Sequence, residues 1–170
     1  MKYRLQPAQV NFLSDFGLPR DVLESLTYSV TPTAALGNLP RKIGKLKGWI
    51  VDQAERLFLQ VFDQYAITNP WQREIEILEG PWTAMPQPQR MAIIGHECYH
   101  LVQQRGWPWK TWLLVYLALY LATGLISWLK KKKWYASDHP LEKPAYRVQH
   151  EIEAAIRDHP EILDGVEDLL

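Results

Sequence analysis

The sequence predicts a helix-rich α+β protein folded as a single domain over residues 1–170. Most segments with a regular apolar pattern have helical spacing, which predicts several helices. One segment, residues 73–79, instead alternates charged and apolar side chains, as a half-exposed strand does. Hydrophobic residues make up 47% of the chain, which is enough for one sizeable core.

Residues 1–85 are predicted to form an N-terminal scaffold, because they contain no internal repeat and no low-complexity tract. Helical patterns cover residues 19–26 and 49–65, and the segment of residues 31–48 is rich in proline, glycine and lysine and is predicted to be a loop. Residues 73–79 are predicted to be an edge strand, since charged side chains protect such a strand from pairing with other chains.

The segment of residues 95–100 reads Gly-His-Glu-Cys-Tyr-His, so that His96, Glu97 and His100 form an H-E-x-x-H pattern. On a helix, the two imidazoles differ by about 40° around the axis and about 6 Å along it, and both can therefore bind one metal ion. Glu97 lies near the same face, where a carboxylate can take a proton from a metal-bound water. This pattern predicts a zinc site with Glu97 as general base.

The residues around this pattern predict the helix that it requires. Pro86 and Pro88 favour a helix start, and Gly106 and Pro108 favour its end. Cys98 is the only cysteine, so no intramolecular disulfide can form, and on the helix it points away from the two histidines. Apolar residues for burial are Met91, Ala92, Ile93, Ile94, Leu101 and Val102.

A third metal ligand is expected downstream, because catalytic zinc usually has three protein ligands and an open position for water. A third histidine six residues after His100 is excluded, since position 106 is glycine. Residues 137–146, Ser-Asp-His-Pro-Leu-Glu-Lys-Pro-Ala-Tyr, contain capping residues and a proline that predict a helix start close to Glu142. The other donors that remain open are His139, His150, Glu151, Glu153, His159 and Asp164.

At this point the sequence resembles the minimal gluzincin-like zinc peptidases over residues 66–157. In that family a helix with H-E-x-x-H is followed, after an aromatic-rich apolar stretch, by a helix with a P-x-E-x-x-A-like segment, here Pro140, Glu142 and Ala145. The resemblance implies a zincin-like fold in which residues 86–170 contain the metal-binding helices.

The resemblance also implies the roles of individual residues. His96, His100 and Glu142 would hold Zn²⁺, and Glu97 would be the general base. A sheet-edge strand beside the H-E-x-x-H helix would receive the backbone of a peptide or protein substrate in extended form, and residues 73–79 are the expected strand.

Tyr146 and His150 follow Glu142 at intervals of four residues, so one helical face presents all three side chains. Either side chain could donate a hydrogen bond to the oxyanion formed when hydroxide attacks a peptide carbonyl, and both are candidate catalytic residues. The alternative is an ordinary, partly buried tyrosine and a surface histidine. Pro144 leaves the position of Glu142 open, because Glu142 lies in a loop if the helix begins only after this proline.

Residues 112–129 carry no charge and are followed by Lys130 to Lys133. This run is at the lower limit of a membrane span, and tryptophans at its ends are typical of an interfacial anchor. A straight crossing would put His100 and Glu142 on opposite sides of the membrane, which excludes a shared metal site unless the run bends or lies in the membrane plane. We expect a long apolar helix packed behind the site, with peripheral membrane contact or a homo-oligomer through this run as alternatives.

The charge balance argues against a nucleic-acid partner, because 19 basic and 19 acidic residues give a net charge of zero. The N-terminal residues contain no apolar run of signal-peptide length, so a cytoplasmic location, with membrane association through residues 112–129, is expected.

The sequence therefore leaves three hypotheses. The first is a zinc metallopeptidase. The second is a non-catalytic structural-zinc or membrane- and partner-docking domain, in which a fourth ligand such as His139 closes the metal site. The third is an intramembrane metallopeptidase with Asp164 as a distant ligand.

Overall fold

A computed structural model of the protein describes residues 2–31, 66–69, 74–130, 139–166 and 168–169. The chain is helix-rich with one small mixed sheet, as the sequence predicts. The elements are β1 (Lys2–Arg4), α1 (Pro7–Ser14), α2 (Arg20–Ser25), β2 (Thr27–Thr31), β3 (Ala66–Asn69), β4 (Glu74–Leu78), α3 (Glu79–Ala84), α4 (Gln87–Gln103), α5 (Trp109–Leu129), α6 (Glu142–Asp158) and a 3₁₀ turn (Pro160–Leu163). The helix predicted over residues 49–65 and the loop predicted up to residue 48 lie outside the described residues, apart from Thr31 at the end of β2.

The four strands have the order β1-β2-β4-β3. The β1–β2 and β3–β4 pairs are antiparallel and the β2–β4 pair is parallel. The edge position predicted for residues 73–79 is therefore wrong, because β4 lies between two other strands. The reason is that alternation reports the two faces of a strand, here with Ile75 and Ile77 in the core, and says nothing about its lateral neighbours. In the described part of the chain, the edges are β1 and β3.

The H-E-x-x-H helix, α4, forms where the sequence predicts it. It begins after Pro86, and Gly106 beyond its end has a φ of +84°, a conformation that favours glycine. α4 packs against α6 and β3. α6 supplies an apolar stripe at helical spacing to this contact, formed by Ala145, Val148, Ile152 and Ile156.

Glu142 is the first residue of α6, so the alternative in which it lies in a loop is wrong. The backbone amides of Glu142 and Lys143 both donate to the carbonyl of His139 at 3.0 Å, which fixes the start of the helix. Pro144 is the third helical residue. Its missing N–H costs no hydrogen bond there, because the first four amides of a helix have no partner within the helix.

α5 contacts the rest of the described chain mainly near its N-terminal end. Trp112 and Tyr116 are buried, whereas Leu121, Leu125 and Leu129 are exposed. The predicted packing of this helix behind the site is therefore limited to its first turns. Among the described residues, α5 is the one helix that is long and apolar enough to cross a membrane, as judged by length and composition alone.

Gly95 permits the close approach of α4 to α6. A methyl group added at this position would overlap the terminal methyl of Ile152, which is fully buried. A Gly in a helix interior normally lowers stability relative to Ala, by about 1 kcal/mol. Its presence one residue before His96 is therefore explained by packing between the two helices that carry His96, His100 and Glu142.

We expect Gly95→Ala to lower the free energy of unfolding, because an overpacking cost of about 1–3 kcal/mol exceeds the gain in helix propensity. Ile152→Val removes the overlapping methyl and alone should cost about 0.5–1.5 kcal/mol. In the double variant, the loss of unfolding free energy should be smaller than the sum of the two single losses by at least about 0.5 kcal/mol. Urea unfolding of the four proteins measures this coupling, and strict additivity would show that the two side chains do not meet.

Candidate metal centre

Three buried side chains from two helices converge at one point. His96 and His100 come from α4, and Glu142 comes from the first turn of α6. The Nε2 atom of His96 lies 3.2 Å from Nε2 of His100 and 3.2 Å from Oε2 of Glu142. The remaining distance, from His100 Nε2 to Glu142 Oε2, is 3.3 Å. This group could hold a metal ion.

The donor atoms of this group fit a tetrahedral metal centre. With metal–ligand distances of about 2.0–2.1 Å, two donors in a tetrahedron are about 3.3–3.4 Å apart. The three observed separations are 3.2, 3.2 and 3.3 Å. Two imidazoles and one carboxylate also suit a transition-type divalent metal better than Ca²⁺ or Mg²⁺, which prefer oxygen ligands.

Gln103 orients the second histidine. Its Nε2 donates to the carbonyl of Leu141 at 2.7 Å, so its Oε1 is the acceptor for His100 Nδ1–H at 2.9 Å. This bond leaves His100 Nε2 directed to the ligand group. Gln103 therefore links one ligand of α4 to the residue immediately before Glu142. It lies three residues after His100, so the helical spacing offered a signal that the sequence analysis missed.

Tyr116 of α5 orients Glu142. Its hydroxyl donates to Oε1 of Glu142 at 2.8 Å, whereas Oε2 faces the two histidines. Burial raises the pKa of the Tyr116 hydroxyl, and the negative charge of Glu142 raises it further, so this group stays protonated. Tyr116 could not be identified from the sequence, because an apolar run gives no indication of which residue faces a site.

His139, a candidate third or fourth ligand, does not belong to the group. Its Nδ1 accepts from the amide of Leu141 at 3.2 Å, so the proton is on Nε2, which donates to the carbonyl of Tyr116 at 3.2 Å. Both ring nitrogens are therefore used. Among the described histidines, cysteines and acidic residues, no fourth side chain joins His96, His100 and Glu142.

The pKa values of Glu142 and His100 are shifted in opposite directions. Burial alone would raise the pKa of the Glu142 carboxyl, but hydrogen bonds from His100 and His96 outweigh burial and hold it well below its usual range. Burial alone would lower the pKa of His100, but the hydrogen bond and charge of Glu142 raise it to about 9. Both pKa shifts favour an ion pair of a protonated His100 and an ionised Glu142.

Glu97 is buried, interacts electrostatically with His96, His100 and Glu142, and does not belong to their group. Its Oε2 accepts a hydrogen bond of 2.6 Å from the hydroxyl of Thr68 on β3. Burial raises the pKa of Glu97, against the opposing effects of His96, His100 and Thr68. A raised pKa suits a carboxylate that has to take up a proton near neutral pH. Thr68 was missed because the sequence analysis did not predict β3.

Of the two other candidate catalytic residues, Tyr146 lies close to the group and His150 does not. The ring of Tyr146 is half-buried and its centroid lies 4.7 Å from that of His96, whereas His150 is exposed and lies 6.2 Å from Tyr146. Burial raises the pKa of the Tyr146 hydroxyl, which keeps it a hydrogen-bond donor. His150 is outside the group because eight residues separate it from Glu142, which moves it about 12 Å along the helix axis and rotates it by about 80°.

No protein-family model, no curated protein and no solved structure matches the chain. The functional interpretation of the site therefore depends on its own geometry and chemistry. The gluzincin-like resemblance stays a prediction.

Metal binding should release a proton at neutral pH, because imidazole binds metals in its neutral form and His100 is protonated in the metal-free site. The apparent affinity for Zn²⁺ should therefore rise about tenfold per pH unit and level off as the pH passes about 9, the pKa of His100. Titration calorimetry in two buffers with different ionisation enthalpies measures the proton release. An affinity that does not change between neutral pH and this pKa would contradict the proposed ion pair.

Proposed function

We propose that the protein is a zinc-dependent metallopeptidase, in which His96, His100 and Glu142 bind Zn²⁺ and Glu97 is the general base. One observation carries the proposal: three buried donors form a group with a tetrahedral spacing, and a second carboxylate, that of Glu97, interacts with them without belonging to the group. Catalytic zinc sites use three protein ligands and keep a position for water, whereas structural sites use four. Two histidines and one glutamate are a ligand set of catalytic zinc.

The proposed chemistry assigns a task to each group. Bound zinc would polarise a water molecule and lower its pKa. Glu97 would take the proton of that water, with Thr68 holding Oε2 so that the carboxylate keeps one orientation. Tyr146, whose hydroxyl stays protonated, is the candidate donor to the oxyanion of the attacked carbonyl. His150 has no part in this arrangement.

The strand proposed to bind the substrate backbone is β3 and not β4. β3 is an edge strand within the described part of the sheet, and Thr68 on this strand donates to Glu97. A peptide added in extended form to β3 would run beside the H-E-x-x-H helix. This arrangement supports a peptide or protein as the substrate, and the edge of β3 replaces the predicted residues 73–79.

A structural-zinc domain is the main alternative, and it requires a fourth protein ligand. Its named candidate, His139, donates to the carbonyl of Tyr116 and accepts from the amide of Leu141. An intramembrane peptidase with Asp164 as ligand has less support, because Asp164 is exposed and is absent from the ligand group. The catalytic proposal is therefore the better supported of the three.

Glu97→Gln should bind zinc as the wild type does and should lose hydrolysis of a mixed peptide library by about 10²–10⁴-fold, the usual contribution of a general base. Glu142→Ala should lose both zinc and activity, because it removes a ligand. Metal analysis and mass spectrometry of the cleavage products measure the two quantities separately. Glu24→Gln, a change at an exposed carboxylate on α2, is the matched control and should change neither.

Two results would contradict the proposal. Full hydrolysis by Glu97→Gln would show that Glu97 is not the base. X-ray absorption with four protein ligands around zinc, together with the absence of cleavage by the wild type, would establish a structural site. Three protein ligands and one water would support catalysis.

A further inference from the structure

α5 has an apolar, uncharged face that is exposed along its length. At 100° per residue, its exposed large side chains fall within about 140° of the helix circumference. Trp112 and Tyr116 lie outside this arc and are buried, and Tyr116 donates to Glu142 of the metal group. The exposed residues, with the exposed fraction of each, are Leu114 (68%), Leu121 (70%), Leu125 (57%), Ile126 (49%) and Leu129 (65%). We call this surface the leucine face.

Positive charges flank the leucine face. In a chain with a net charge of zero, residues 98–137 contain six basic residues and no acidic residue. Five of them flank the apolar run in the sequence, with Lys110 before it and four consecutive lysines, Lys130 to Lys133, after it. An apolar helix surface bordered by lysines is complementary to a membrane with anionic headgroups, which attracts each nearby lysine by about 1 kcal/mol.

We propose that α5 docks the protein on an anionic membrane surface, with its axis in the membrane plane and the leucine face buried between the headgroups and the acyl chains. The lysines at its ends would contact the lipid phosphates. Trp107, which is 51% exposed and lies just before α5, is placed to enter the same interface. In this orientation, the opposite side of α5 carries Tyr116 and the metal group.

The structure argues against a membrane span by α5. The chain returns after α5 so that His139 donates to the carbonyl of Tyr116 and Tyr116 donates to Glu142. α5 extends beyond Tyr116 by about 20 Å, at a rise of 1.5 Å per residue. A helix inserted along its axis would carry Lys130 into the hydrocarbon, where lysine is costly, and the chain would have to return from there to His139. An in-plane orientation avoids both problems.

The charges also argue against a second copy of the chain as the occupant of the leucine face. If two α5 helices packed antiparallel, Lys130 of one copy would meet Lys110 of the other. If they packed parallel, Lys130 of one copy would meet Lys130 of the other. Like charges would repel in both arrangements, whereas an anionic bilayer attracts all of them.

Flotation of the full chain with vesicles tests the proposal, and it requires neither bound metal nor hydrolysis, so it is independent of the proposed function. We expect at least about tenfold stronger binding to phosphatidylcholine vesicles that contain phosphatidylglycerol than to phosphatidylcholine alone, with loss of binding in high salt. Lys130→Gln combined with Lys131→Gln should lower binding about fivefold per lysine. Leu121→Ser combined with Leu125→Ser should lower binding to at least the same extent.

The controls separate docking from loss of structure. Arg20→Gln combined with Arg157→Gln removes two exposed basic residues elsewhere and should leave vesicle binding unchanged. Circular dichroism of all variants should match the wild type, because every substituted described residue is exposed. Equal binding to both kinds of vesicle would overturn the proposal. Resistance to extraction from vesicles at alkaline pH, which indicates a span, or a dimer that the two serine substitutions abolish, would also overturn it.

Discussion

The buried carboxylate of Glu142 is the point on which the described structure depends. It contacts His96 and His100 of α4 and the hydroxyl of Tyr116 of α5, and it begins α6. A buried carboxylate is tolerated only when charges or hydrogen bonds compensate the loss of water. Here the compensation comes from two other helices, so the positions of α4, α5 and α6 are tied to one side chain.

Two residues that do not belong to the candidate ligand group, Gln103 and Tyr116, hold its side chains in place. Gln103 joins His100 to the carbonyl of Leu141, and Tyr116 takes one oxygen of Glu142 so that the other faces the histidines. Such outer partners fix the tautomer and the ring orientation of a metal-binding histidine. The hydrogen bond from Gln103 to the carbonyl of Leu141 also joins α4 to the residue that precedes Glu142 at the start of α6.

Much of the site could be predicted from the sequence, because its signals are local. His96, Glu97 and His100 lie within five residues, and the pattern of residues 137–146 predicted a helix start close to Glu142. The capping detail differs, because the helix begins at Glu142 after Leu141, which makes no side-chain cap, and Pro140 precedes the helix. The small strands could not be predicted in the same way, since three to five residues give too short a period. Thr68 was missed for that reason, and the sheet order that places β4 inside the sheet depends on contacts between distant segments.

α5 shows where a sequence pattern is insufficient on its own. The uncharged run predicts an apolar helix, and the structure divides that helix into a side with Trp112 and Tyr116 and a side with exposed leucines. Only the first side can be related to the metal group, because Tyr116 reaches Glu142. A helix that supports a ligand on one side is fixed in its rotation about its own axis. The direction of the leucine face is therefore set by the metal group, and any surface that binds this face lies across one helix diameter, about 10 Å, from the group.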